Sequence, residues 1–105
     1  MSEVLRGRVP SSSQAPELGE NSEEVARLGN VVIEHILSGA LPAPVDYNQS
    51  HGEWVLVLEG AAALEVGDER FDLTRGDWVL LPADVPHRLV DTRPGTAWLA
   101  VHCFP

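Results

Sequence analysis

Lysine is absent from this chain, and all seven of its basic residues are arginines. That removes Schiff-base chemistry on a lysine amine. Sixteen acidic residues stand against those arginines, for a net charge of −9, so the chain is expected to be repelled by nucleic acid and by anionic membranes. A single cysteine, Cys103, excludes an intramolecular disulfide and leaves nothing for a cysteine-rich zinc site. Its expected role is that of a small buried hydrophobe near the carboxyl end. No apolar run is long enough to cross a bilayer, and none at the amino end has the form of a signal peptide. The cytoplasm is the expected compartment.

What is there suits one domain with a modest core, since the 105 residues are 44% apolar. Residues 1–20 are rich in Ser, Pro, Gly and charge and are expected to be loosely ordered, ahead of a single domain over 21–105. Asn21, with Glu24 three residues on, has the form of a helix cap, and Gly29 suits a helix stop. One short helix is therefore expected from Ser22 to Leu28, with Val25 and Leu28 facing inward. From Asn30 onward, runs of strand length are bounded by Gly and Pro and show no helical period. Val31 to Ser38 is the first of them, and His35 within it reads as an exposed strand histidine. Ala62 to Val66 and Glu69 to Leu73 form a hairpin about a tight turn at Gly67-Asp68.

The stretch GDWVLLPADVPHRLVD, Gly76 to Asp91, organises the rest. It reads as a turn, an apolar strand from Trp78 to Leu81, and a bend between Pro82 and Pro86, with a new strand opening at His87. Two prolines remove backbone donors and fix φ, so the bend is rigid and holds one imidazole in a set place. Gly76, Pro82 and His87 resemble the second motif of the cupin family, with Asp84 standing where that family has Gly and Asp91 where it has Asn. Asp tolerates the left-handed backbone that Gly supplies.

Upstream, Glu53 followed after six residues by Gly60 is similar to the closing half of the first cupin motif. Tyr47 and Gln49 occupy the places of that motif's two histidines, while His51 falls in the segment the family uses as a turn. The fifteen residues between Gly60 and Gly76 match the spacing of small microbial cupins, and the resemblance runs from about residue 31 to 104. The wording YNQSHGEWVLVLEG further resembles a subgroup with Tyr-x-Gln and Glu-Trp-Val in its first motif. The resemblance implies an all-β protein, an antiparallel jelly-roll barrel closing on a small pocket.

Tyr47 and Gln49 share a strand face, Glu53 joins them if register holds, and His87 meets them from the other motif. Glu53 and His87 are the expected catalytic pair, with Tyr47 and Gln49 as ligand-binding groups. A hydrogen bond donated by His87 to Glu53 would raise the pKa of His87 and suit it to general acid work. The resemblance also implies a divalent iron, manganese, nickel or zinc ion, the alternative being a metal-free pocket in which Glu53 and His87 pair. Gln49, His51, Glu53 and His87 would be its ligands, and weak ones, because an amide oxygen replaces an imidazole. His102, in phase with Trp98 and Ala100 on the last strand from Thr96 to Phe104, is read as structural and left out of the site.

Trp54 to Leu58, Trp78 to Leu81 and Trp98 to Val101 are apolar at nearly every position, where a strand with one wet face should alternate. A homodimer is the expected cover for the second face. The expected function is binding of a small polar metabolite, a sugar or organic acid, in the barrel, with isomerase, lyase or dioxygenase chemistry. The alternative is a ligand-binding or sensor module without turnover, because cupin folds serve many ends.

Overall fold

The computed structural model describes residues 3–105; the first two positions of the amino-terminal segment lie outside the described residues. The strands are β1 (Glu20–Leu28), β2 (Val31–Ser38), β3 (Val45–Tyr47), β4 (Gly52–Glu59), β5 (Ala61–Val66), β6 (Glu69–Thr74), β7 (Trp78–Leu81), β8 (His87–Thr92) and β9 (Thr96–Cys103). They form two antiparallel sheets, one ordered β1-β2-β9-β4-β7 and one ordered β3-β8-β5-β6. This is the jelly-roll arrangement of two facing sheets. Its core lies between them, built on Val55, Val57, Leu64, Leu73, Leu89, Trp98 and Ala100.

Alternation decides which side chains enter that core. Along β4, Glu53, Val55 and Val57 are buried while Trp54, Leu56 and Leu58 lie on the opposite, half-covered face. Along β7, Val79 and Leu81 point in, whereas Trp78 and Leu80 are 58% and 63% exposed. The apolar runs therefore do put hydrophobic side chains on both faces of the five-stranded sheet.

The helix expected over 22–28 is absent. Those residues belong to β1, which pairs antiparallel with β2 from Glu20↔Ser38 to Leu28↔Val31, and Gly29-Asn30 is the turn of a hairpin. A seven-residue helix in water is marginal, whereas pairing with β2 satisfies its backbone through a whole ladder. Val25 falls at a register shift between Glu24 and Ala26, and it and Leu28 are exposed. The helical content among the described residues is one 3₁₀ turn, Ser12–Gln14, capped by Ser11.

Two further expectations fail for positional reasons. His35 is 2% exposed, not solvated: β2 is an interior strand, and Glu23 and Leu99 flank His35 in register on either side. Cys103 is exposed, because it ends its strand and faces only Val31 and Gly52 in register.

The Pro82–Pro86 bend folds as its composition dictates. Asp84 has φ +62°, the only non-glycine residue with positive φ among those described, and its N–H donates to the Gln49 carbonyl at 2.7 Å. The bend thus clamps the loop that carries Gln49. Gly60, at φ +93°, is required by space as well: a Cβ there would lie 2.7 Å from the Thr96 Cα. That contact lets the chain cross from β4 in one sheet to β5 in the other.

Candidate functional site

A half-open cavity of about 230 Å³ lies between the sheets. Tyr47, Gln49, Glu53 and His87 all line it, so the four side chains expected to share a pocket do so. Each arrives by a different route. Tyr47 ends β3 and pairs in register with His87 at the start of β8, and their rings stack at 5.4 Å with planes 14° apart. Gln49 comes from the clamped loop, and Glu53 from the inward face of β4, in register with Leu81 and His102.

His87 is 8% exposed. Its Nδ1 lies 3.1 Å from the Val85 carbonyl oxygen, which can only accept, so Nδ1 carries the proton and Nε2 of the neutral ring is the acceptor. Glu53 is also 8% exposed. The expected hydrogen bond between Glu53 and His87 is not among those the described residues form. The nearest nitrogen paired with Glu53 is instead His102 Nε2, 3.9 Å from Oε2, beyond hydrogen-bonding distance.

His51 does not reach the cavity. Its Nε2 lies 2.9 Å from His102 Nδ1, and its ring packs 4.3 Å from that of Phe104. His102 Nε2 in turn lies 3.1 Å from Glu34 Oε1. With Glu34 ionised, the carboxylate accepts from His102 Nε2–H and the neutral His102 ring accepts from His51 Nε2–H, a directed chain of three groups.

Of the lining residues outside the expected four, Glu20, Ser22, Glu34, Trp98 and His102 carry polar groups that the sequence reading leaves out of the site. Glu20 and Ser22 were hidden because their segment reads as a helix. His102 and Trp98 carried a signal in their shared phase on one strand, and Glu34 one in its phase with Ile36. Burial pushes the Glu20 carboxyl above its usual range; the Ser38 hydroxyl that donates to it opposes this, and Glu34 and Glu53 add repulsion. Burial likewise raises the Tyr47 phenol, helped by the charges of Glu20, Glu53 and Glu34. None of the seven arginines lines the cavity.

The donors do not fit the weakly held metal of the sequence reading. His51 is turned to His102, and among the described residues no three His, Cys, Asp or Glu side chains converge as a metal-holding group. A transition ion prefers several such donors at about 2.0–2.3 Å.

This fold and pocket define a cupin, and comparison agrees. The family model described as "Cupin domain" matches residues 32–102, so the chain belongs to the cupin-domain family. No curated protein matches it. Among solved structures, it is similar to a protein of Ralstonia eutropha JMP134 provisionally named a mannose-6-phosphate isomerase, at 32% identity over 97% of this chain and 100% of that one, with a TM-score of 0.79. A cupin superfamily protein of Desulfitobacterium hafniense DCB-2 is 20% identical over 97% of this chain and 94% of that one, with a TM-score of 0.75. KdgF from a Halomonas species is 19% identical over 81% and 80%, with a TM-score of 0.74. The last two share the fold.

Proposed function

We propose that the barrel binds a small polar metabolite of the sugar or organic acid class and transfers a proton on it, as an isomerase or lyase does. One observation carries this reading: Glu53 and His87, both buried and neither bonded to another side chain, face a single cavity from opposite sheets. A carboxylate and an imidazole on two sides of a bound molecule can take a proton from a carbon beside a carbonyl and return one to the neighbouring atom. Glu53 is the base in this scheme and His87, once protonated at Nε2, the acid. Tyr47 and Gln49 orient the substrate through a phenol and an amide. The name of the Ralstonia protein speaks of an isomerase, which agrees with such a pair. Dioxygenase chemistry through a resident ion finds no support in the donor set.

The test is exchange in deuterated water. Reducing sugars and 2-oxo acids are incubated with the protein, and loss of the proton beside the carbonyl is followed by NMR. Exchange that disappears in both Glu53→Gln and His87→Gln is the expected result. Binding without exchange favours the second reading, a non-catalytic binding or sensor module, which the lack of a Glu53–His87 bond also suits.

We propose further that the chain works as a homodimer in the cytoplasm. Trp54, Leu56, Trp78 and Leu80 form an apolar strip on the outer face of the five-stranded sheet, with the two indoles 6.1 Å apart. Monomeric mass in sedimentation at micromolar concentration would count against the dimer.

A further inference from the structure

Three carboxylates, from Glu20, Glu34 and Glu53, share the cavity wall, and no arginine reaches it. Two of the three are engaged by the protein: Ser38 Oγ donates to Glu20, and His102 Nε2 to Glu34. Glu53 is not. At 8% exposure it has no hydrogen-bond donor among the described residues, and His102 Nε2 stands off at 3.9 Å. His87, equally buried, presents a second unmet acceptor in its Nε2, because Nδ1 is committed to the Val85 carbonyl.

The open demands at Glu53 and His87 are therefore for hydrogen-bond donors, while the Tyr47 hydroxyl and Gln49 amide on the same cavity can themselves donate to a ligand's oxygens. No fully buried side-chain oxygen or nitrogen among the described residues lacks a partner, so the Glu53 oxygens face the open cavity, and a donor that also carries positive charge meets them there with the stronger, charge-assisted bond. An anionic ligand would add charge of the same sign to a wall that already holds three acids. It would also find none of the guanidinium forks that phosphate recognition uses.

We infer that the cavity takes a small polar molecule bearing a protonated amine, its ammonium seated at Glu53 in the field of Glu20 and Glu34, and that it rejects phosphorylated and carboxylated analogues. This rests on the cavity being the ligand site proposed above, and it narrows that reading to the sugar class, because an organic acid brings a carboxylate. It separates the chain from the phosphosugar in the Ralstonia protein's name.

Mannosamine, mannose and mannose 6-phosphate hold one scaffold at charges of about +1, 0 and −2 near neutral pH. Titrated into the full chain and followed by amide shifts of Gln49, Glu53 and His87, they should bind in that order, with mannosamine at least tenfold tighter than mannose. Glu53→Gln should bring the mannosamine-to-mannose ratio close to one while mannose changes little. Mannose 6-phosphate binding as tightly as mannosamine, or a ratio unmoved by Glu53→Gln in a folded variant, overturns the inference and leaves the cavity as the ligand site. If no sugar moves the cavity signals, the sugar reading fails instead. The charge rule is then read with methylammonium against formate, which have no ring to recognise. Methylammonium alone shifting these signals supports the inference, and formate shifting them, or neither ion doing so, overturns it.

Discussion

The two walls of the cavity differ in what they do to the fold. The five-stranded sheet contributes the acids Glu20, Glu34 and Glu53 with His102, beside Ile36, Val55, Leu81 and Trp98, and the four-stranded sheet contributes Tyr47, His87, Leu64 and Leu89 and no acid. The second wall is made of rings and aliphatic groups that gain by leaving water, with Tyr47 stacked on His87. The first buries acids: burial above all, with repulsion from Glu34 and Glu53 added, holds the Glu20 carboxyl above its usual range. One wall stabilises the barrel, and the acids of the other are carried at a cost. Cavities that bind tend to keep such unmet groups, and stability is lower for it.

Substitutions of the cavity's acids and of its aromatic and aliphatic groups should accordingly act with opposite signs. The largest effect belongs to Trp98, buried between them, whose Nε1–H donates to Ser38 Oγ at 3.0 Å. Trp98→Ala should lose about 3–5 kcal/mol in urea unfolding. Tyr47→Ala, on the aromatic wall, should lose about 2 kcal/mol through the lost stack and burial. Among the acids, Glu53→Gln should instead gain about 1 kcal/mol, because it removes a charge that repels Glu20. A loss of stability in that variant would break the comparison.

Glu20 sharpens the contrast through pH. Its carboxyl is raised in the folded state above 4.5, so in the window above that value the folded chain binds more protons than the unfolded one. Stability on this account falls as pH rises through the folded-state value. Glu20→Gln should flatten that fall, visible as melting temperatures that converge with wild type at low pH and exceed it near neutrality. The smallest effect is expected outside the cavity, at the exposed pair Arg88–Asp46, joined at 2.6 and 3.2 Å. Arg88 holds the Asp46 carboxyl below 3.8, so any contribution is present above that value and is lost as pH falls. Asp46→Asn should leave the melting temperature near neutrality unchanged within error, because surface pairs are screened by water and salt.

Much of this was legible in the chain, for reasons that are local. Gly and Pro punctuate the strands, a two-residue period sorts their faces, and the Pro82–Pro86 bend with Asp84 at positive φ follows from residue chemistry alone. Glu53 and His87 could be placed in one cavity because motif spacing and strand alternation both point there. The failures share a cause. Asn21 to Leu28 has a helical cap signal and a single apolar stripe, yet its partner strand decides its form, and the partner is set by which edge of the sheet is free. His35, His51, His102 and Cys103 were each misjudged in burial or contact, since exposure depends on neighbours far along the chain.

The sequence by itself therefore determined the barrel's class, the rigid bend and four of the cavity's side chains, through spacing, period and backbone chemistry that act over a few residues. Only the tertiary structure decided that a further strand, β1, brings Glu20 to the cavity, that Glu34 and His102 join it, and that His51 turns away to His102. Those outcomes depend on pairings such as Glu53↔His102 and Glu20↔Ser38, and a strand's register with a distant partner is fixed only when whole faces are buried together.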